Sequence, residues 1–334
     1  MSDADDSSRS FRHVPVLRDE VVAALAPVPP GWVVDGTLGG AGHATAILEA
    51  HPHLSVLGLD RDPLAVQVAT ERLARFGDRA LVVHTRFDRI ADAMGLLRRN
   101  RTTDAATVSD EAPTGLSGVL LDLGVSSPQL DRGDRGFSYR NSGPLDMRMD
   151  PTTGRAASDV VNDADHGELV RILRRFGDER HADRVARAII EARPVTTTEQ
   201  LAEIVRDAIP AAARRTGGHP ATRTFQALRI EVNDELAQLE AVLGDALDLL
   251  APGGRMAVIT YHSGEDRIVA RRFRDAAADD CVCPPGSGAC RCGGAPSVRL
   301  VPRKAITASE GEIAANPRAR SARLRVAEQL GEAS

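Results

Sequence analysis

Apolar residues reach the first third of the chain in short unbroken runs. Trp32-Val-Val-Asp35, Ser55-Val-Leu-Gly-Leu-Asp60, Arg79 to His84 and Gly118-Val-Leu-Leu-Asp-Leu123 show little alternation with polar positions. Strands covered on both faces lose the period of two, so these runs predict strands of a parallel sheet. Between them, Ala41 to Ala50, Leu64 to Phe76 and Arg89 to Arg98 carry helical spacing, and Val16 to Ala26 predicts a short helix ending before Pro27. Strand and helix in alternation predict a doubly wound α/β sheet. The pattern pauses and later resumes. Phe225 to Leu250 predicts one long helix stopped by Pro252-Gly-Gly254, Arg255 to Thr260 a fifth strand, and Ser297 to Val301 and Leu324 to Ala327 the last strands.

In the pause, Glu168 to Phe176, Glu179 to Ala192 and Thr198 to Ile209 place apolar residues at i, i+3 and i+4, with Thr197 or Thr198 suited to cap the last of these helices. Residues 137–218 therefore read as a helical insertion in a discontinuous α/β domain made of 11–136 and 219–334, with 1–10 as a disordered tail. The polar stretch Arg99 to Ser117 reads as a surface loop.

A chain of 334 residues, 42% apolar, is long enough for one large or two modest cores. Runs approaching the roughly 20 apolar residues of a membrane span are missing, as is a basic-then-apolar leader, so a soluble cytoplasmic chain is expected. The net charge of −5 argues against a coat of basic charge but not against a local basic face. Such a face is offered by 291–325, where eight basic residues meet only Glu310 and Glu312. It fits phosphate contacts, and equally a solvated surface with scattered ion pairs. Cys281, Cys283, Cys290 and Cys292 are the only cysteines. Their C-x-C spacing is tighter than usual for a zinc knuckle, and zinc, reduced thiols and redox pairing all remain compatible with it.

Asp35-Gly-Thr-Leu-Gly-Gly-Ala-Gly-His43 sits between the first strand and its helix. Glycines there allow a sharp turn and close approach of backbone to a ligand. The nearest dinucleotide frame, Gly40 to Thr45, lacks the final small residue of G-x-G-x-x-G/A. An acidic strand end followed by glycines resembles instead the first motif of S-adenosylmethionine methyltransferases. Asp60, ending the second strand, is placed to accept bonds from ribose hydroxyls, and Phe87 follows the third strand. An N-cap or turn for Asp60, and core packing for Phe87, are the plainer alternatives.

Asp122-Leu-Gly-Val-Ser-Ser-Pro-Gln129 follows the fourth strand, at the end where such sheets bind ligands. Amino-methyltransferases carry an Asp/Asn/Ser-Pro-Pro-aromatic motif here. The exocyclic amine of a base is a poor nucleophile, because its lone pair is delocalised into the ring. Acceptors such as Asp122 and the Ser126-Ser127-Pro128 turn can bind its N–H groups and position it for in-line attack. Gln129 stands where an aromatic ring is common, so Phe137 or Tyr139 is expected to supply a stacking surface.

Asp122 to Leu130, Arg135-Gly-Phe-Ser138, Gly143-Pro-Leu-Asp-Met-Arg-Met149, His219-Pro-Ala-Thr-Arg-Thr-Phe-Gln226, His262-Ser-Gly-Glu-Asp-Arg267 and Asn316-Pro-Arg-Ala-Arg-Ser321 together resemble the RsmH (MraW) family. These are bacterial enzymes that methylate N(4) of a decoding-centre cytidine, number 1402 in the usual numbering of 16S rRNA. The resemblance runs from about His13 to Glu328. It implies S-adenosylmethionine as methyl donor, 16S rRNA of the small ribosomal subunit as partner, and a helical domain after the fourth strand. It also implies cofactor contacts from Ala41, Gly42, His43, Asp60, Phe87, Asp122 and Gln129, with Asp122, Ser127 and Pro128 as catalytic residues and no catalytic metal. Gly264 departs from the Leu usual in the family, which leaves that loop's geometry open. His262 fits either an RNA contact or a satisfied structural histidine.

A methyltransferase acting on a DNA base or a protein amine, and an RNA-binding protein that keeps S-adenosylmethionine without catalysis, are the competing functions. For the latter Asp122 and Ser127-Pro128 would be expendable. A nicotinamide oxidoreductase is disfavoured by the incomplete dinucleotide frame. Dimerisation is left open by the sequence.

Overall fold

A computed structural model describes residues 15–102, 115–214, 219–279, 282–283, 292 and 294–331. The strands are β1 (Gly31–Asp35), β2 (Leu54–Asp60), β3 (Ala80–His84), β4 (Leu116–Asp122), β5 (Leu250–Thr260), β6 (Val298–Leu300), β7 (Ile306–Thr307) and β8 (Arg323–Gln329). They form one sheet in the order β3-β2-β1-β4-β5-β8-β6, with β7 also on β8. β1 to β5 pair in parallel, and β8 runs antiparallel to β5.

The doubly wound reading is realised by side-chain alternation within the apolar runs. Val34, Val119, Leu121, Met256 and Val258 face one core, which includes Ile90, Met94, Val242 and Phe273 from helices Ile90–Thr102, Glu235–Asp248 and Ser263–Ala276. Val33, Leu120, Ala257 and Ile259 face the other, with Val21, Leu25, Ile47, Leu48 and Leu73 from helices Arg18–Leu25, Gly42–Ala50 and Pro63–Leu73. Each fully buried Leu, Ile or Val contributes about 1.5–3 kcal/mol of apolar transfer free energy. The strand order reverses between β1 and β4. Ligands in open α/β sheets bind beyond the carboxyl ends of the strands at such a switch point.

The chain forms two compact units, Arg12–Gly124 with Ala237–Ser334, and a helical unit containing Val125–Leu236. The helical unit is wider than the 137–218 segment expected from periodicity. Val125 and Leu130 pack against its core on one side, and Phe225, Ala227 and Leu228 of helix Thr222–Asn233 are buried in it on the other. The unit also holds helices Ala157–Asp163, His166–Gly177, Ala182–Glu191 and Thr198–Ala208. Thr197 caps the last of them, its side chain accepting the Gln200 N–H. Asn233, 1% exposed, ties the irregular segment before these helices to helix Thr222–Asn233. Its amide donates to the Met147 carbonyl and its Oδ1 accepts the Met149 N–H.

Two expectations shift. The single helix expected over Phe225–Leu250 is two, Thr222–Asn233 and Glu235–Asp248, because Asp234 turns left-handed at φ 52°. β5 starts at Leu250, not Arg255, since Leu250 pairs with Leu116 ahead of a register shift at Leu116/Gly118. Of the expected 99–117 loop, the helix from Ile90 runs to Thr102 and β4 begins at Leu116, while 103–114 lies outside the described residues, as do the 1–10 tail, Cys281 and Cys290.

Candidate functional site

The carboxyl ends of β1, β2 and β4 carry Asp35, Asp60 and Asp122. The turn after β1 is built from its backbone outward. Gly36 N–H donates to the Leu120 carbonyl and Leu38 N–H to the Leu59 carbonyl, so the turn is laced to both neighbouring strands. A Cβ on Gly36 would lie 2.6 Å from Leu121 Cδ2 and 3.0 Å from Phe87 Cβ, so a side chain there would displace its neighbours. That second contact sets Phe87, on the short 3-10 turn Phe87–Arg89, directly against the glycine turn. Gly39 adopts φ 50° and donates its N–H to Asp60 Oδ2 at 2.7 Å. Asp60 Oδ1 accepts the Asp62 N–H at 2.8 Å. Asp60 thus clamps the turn while each of its oxygens retains acceptor capacity for a ligand.

Ala41, at φ 57°, precedes helix Gly42–Ala50 and makes no side-chain cap, so the first N–H groups of that helix are not satisfied by capping. A Cβ on Gly42 would lie 2.5 Å from Pro15 Cγ, so only glycine passes beneath that proline. His43 follows and is 6% exposed. Neither of its ring nitrogens has a hydrogen-bond partner among the described residues. Its Nε2 lies 3.5 Å from Asp122 Oδ2.

Asp122 is fixed from the opposite side. The Tyr261 hydroxyl donates to Asp122 Oδ1 at 2.8 Å, and the Asp122 N–H donates to Thr37 Oγ1 at 2.6 Å. Burial first, then the charge and hydrogen bond of Asp122, hold the Tyr261 phenol protonated far above its ordinary range. Tyr261 is therefore a fixed donor, and Oδ2 is the carboxylate oxygen left for other partners.

Asp35, 1% exposed, accepts the Thr37 N–H. Burial pushes its carboxyl up to about 7, with Asp122 and Asp60 adding to the rise and His43 and the Thr37 N–H opposing it. Burial likewise raises Asp60 to about 6, against its bonds from Asp62 and Gly39. Crowded, partly desolvated carboxylates of this kind favour a cationic ligand, and shifted carboxyls concentrate at functional sites.

The sequence-predicted residues divide between the two units. Ala41, Gly42, His43, Asp60, Phe87 and Asp122 belong to the sheet unit. Ser127, Pro128 and Gln129 open the short helix Ser127–Asp131 in the helical unit. Gln129 is buried, and its Oε1 accepts the Ser126 N–H in a capping box, so part of its polar capacity is spent locally. Of the two expected stacking rings, Phe137 lies in the helical core at 6% exposure, under the Arg135 guanidinium. Tyr139 is half-buried and accessible. His262 takes its structural role. Its Nδ1 accepts the Gly264 and Glu265 N–H groups and caps helix Ser263–Ala276. Gly264 sits in that first turn, so the missing leucine leaves the cap intact.

Thr37 and Tyr261 were not singled out by sequence. Tyr261 directly precedes the His262 motif, and its link to Asp122 spans 139 positions, a pairing visible only once β4 and β5 are adjacent. Among the described residues there is no cluster of three His, Cys, Asp or Glu suited to a metal, and the zinc expectation rests partly on Cys281 and Cys290 outside them. No helix among the described residues is long and apolar enough to cross a membrane.

A model of the MraW methylase family matches residues 10–330. "Ribosomal RNA small subunit methyltransferase H" of Heliobacterium modesticaldum is 49% identical over 325 residues, covering 96% of this chain and 99% of that protein. Its namesake from Citrifermentans bemidjiense is 51% identical over 324 residues, with coverage of 96% and 99%. Among solved structures, a putative rRNA-methylase from Clostridium thermocellum aligns over 96% of this chain and 100% of that one, with a TM-score of 0.41 and 12% identity.

Proposed function

The chain belongs to the MraW methylase family, and from that premise we propose that it transfers the methyl group of S-adenosylmethionine to N(4) of the decoding-centre cytidine of 16S rRNA in the small ribosomal subunit. The observation that carries this reading is the trio Asp35, Asp60 and Asp122 around a glycine turn, with buried His43 beside Asp122. S-adenosylmethionine supplies, when bound, an electrophilic methyl on a positively charged sulfur. The residues present suit that molecule. Clustered carboxylates favour its cationic groups, Asp60 has acceptors for ribose hydroxyls, and Phe87 lies where an adenine ring can be covered. Ala41, Gly42 and His43, at an uncapped helix N-terminus, suit its carboxylate. Gln129 is assigned to this cofactor set on its motif alone.

Asp122 is the acceptor for the amine. With Oδ1 held by Tyr261, Oδ2 accepts an N–H of the cytosine amine and directs the nitrogen lone pair at the methyl group. With the amine so held, bound S-adenosylmethionine would supply the methyl group, its carbon–sulfur bonding pair leaving with the sulfur, and the amine proton would pass to water. The motif assigns Ser127 and Pro128 to the acceptor side. The helical unit is assigned to substrate recognition, and a chain with this substrate works in the cytoplasm.

Transfer of labelled methyl to purified small subunits, followed by nucleoside analysis, tests the reading. N(4)-methylated cytidine is expected. Label in DNA or protein, or cofactor binding without transfer to any acceptor, would overturn it. Asp60→Ala is expected to weaken S-adenosylmethionine binding, while Asp122→Asn mainly slows transfer. Unchanged affinity in Asp60→Ala would refute the ribose assignment.

A further inference from the structure

Tyr139, Arg140, His219 and Thr222 line an open recess of about 520 Å³ that lies wholly within the helical unit. Tyr139 and His219 stack with ring centroids 4.2 Å apart and planes 12° from parallel. Phe225 meets Tyr139 edge-on at 5.6 Å. The three rings grade from core to solvent, with Phe225 buried, Tyr139 half-buried and His219 exposed. Their orientations are fixed at both ends. The Tyr139 hydroxyl is 3.3 Å from Thr222 Oγ1, and His219 Nδ1 accepts the Ala221 N–H at 3.2 Å.

With one face of His219 on Tyr139 and the residue exposed, the stack ends on an aromatic face that no other ring among the described residues covers. Arg140 is exposed beside it, and its guanidinium has no hydrogen bond or ion pair among the described residues. Core packing explains Phe225 and the inner face of Tyr139. It does not explain an ordered solvent-facing imidazole continuing the stack next to an unpaired cation, in a chain with only two tyrosines. A flat π-face with an adjacent guanidinium matches the two recurring parts of an unpaired nucleotide, its base and its phosphate.

We propose that His219, Tyr139 and Arg140 form a subsite for one unpaired nucleotide of an RNA chain, the base stacking on His219 and the phosphate pairing with Arg140. The subsite rests on the RNA reading above and deepens it. It places one nucleotide contact on the helical unit, and stacking, being tolerant of base identity, contributes hold and register rather than sequence reading.

The test uses the full chain with two probes, purified small ribosomal subunits for methylation and a short fluorescein-labelled oligoadenylate, which contains no cytosine, for binding. His219→Ala is expected to weaken oligoadenylate binding and raise KM for the subunits on the order of tenfold, with kcat and S-adenosylmethionine affinity nearly unchanged. His219→Phe should restore both. Arg140→Gln should reduce the salt dependence of binding, lowering the slope of log K against log salt by about 0.7. Since Arg140 is exposed, that variant reports on the subsite even if His219→Ala folds poorly. Methylation with unchanged KM in His219→Ala, or a His219→Phe variant no better than His219→Ala, overturns the subsite alone. Wild-type chain that methylates no rRNA overturns the proposed function and the subsite with it.

Discussion

Asp122, the proposed acceptor for the amine, shows how much of a side chain's behaviour is set by its neighbours. Its residue type and strand-end position are legible from the run Gly118 to Leu123. Which carboxylate oxygen faces a substrate is not, because that depends on the Tyr261 hydroxyl at 2.8 Å and on His43 at 3.5 Å. Removing the phenol oxygen frees the carboxylate to rotate while leaving the aromatic packing. Tyr261→Phe is therefore expected to lower kcat by roughly ten- to a hundredfold, the range that about 1.5–3 kcal/mol for a hydrogen bond to a charged group converts to. S-adenosylmethionine affinity should barely change, and a loss confined to cofactor binding would contradict the positioning role. Asp35 makes a pH prediction at the same scale. Its folded value of about 7 lies above the ordinary 3.8, so the folded chain holds the extra proton between those values and this group's contribution to stability declines as pH rises through that window. A cationic ligand reverses the preference, since it favours the ionised carboxyl. S-adenosylmethionine affinity is expected to climb between pH 6 and pH 8, as Asp60 at about 6 and Asp35 at about 7 lose their protons. The demethylated product lacks the sulfonium charge, so its affinity should vary less, and Asp35→Asn should flatten the difference. Parallel titration calorimetry of the two ligands checks this, and identical pH profiles would count against the acidic site.

Elements were legible in proportion to how strongly local pattern governs them. The helix Thr198–Ala208 was readable because periodicity and cap chemistry agree. Thr197 accepts the Gln200 N–H, and Gln200 Oε1 accepts the Thr197 N–H at 3.2 Å. Thr197→Ala should cost about 1 kcal/mol, read as a lower denaturation midpoint. The break at Asp234 left no comparable mark, since apolar spacing on both sides reads as one helix and only a left-handed backbone separates them. β7, Ile306–Thr307, is too short to carry a pattern and exists through its pairing with β8. The helical unit's edges were hidden for a related reason. Val125, Leu130 and Phe225 join its core through contacts that no spacing rule reports.

Charge at the scale of the whole molecule is where composition misleads most. The value of −5 describes no surface, and the basic count of 291–325 overstates what is available to a phosphate. Arg299 pairs with Glu328, and Arg323 and Arg325 pair with Asp266. Against the penalty of burial, Arg325 and Arg323 hold Asp266 below the usual carboxylate range, so these arginines serve the fold around β8. Arg303, Lys304 and Arg320 are exposed and have no hydrogen bond or ion pair among the described residues. Only such unpaired cations release counterions from RNA without first breaking an internal bond. Replacing all three with Gln is expected to lower the slope of log K against log salt by about 2, with little effect on stability. Arg325→Gln should act the other way, reducing stability by about 1–3 kcal/mol through the loss of its paired bonds to Asp266 and leaving the slope nearly unchanged. An unaltered slope in the triple variant would show that this face does not meet the RNA, and the attraction would then have to come from elsewhere on the molecule.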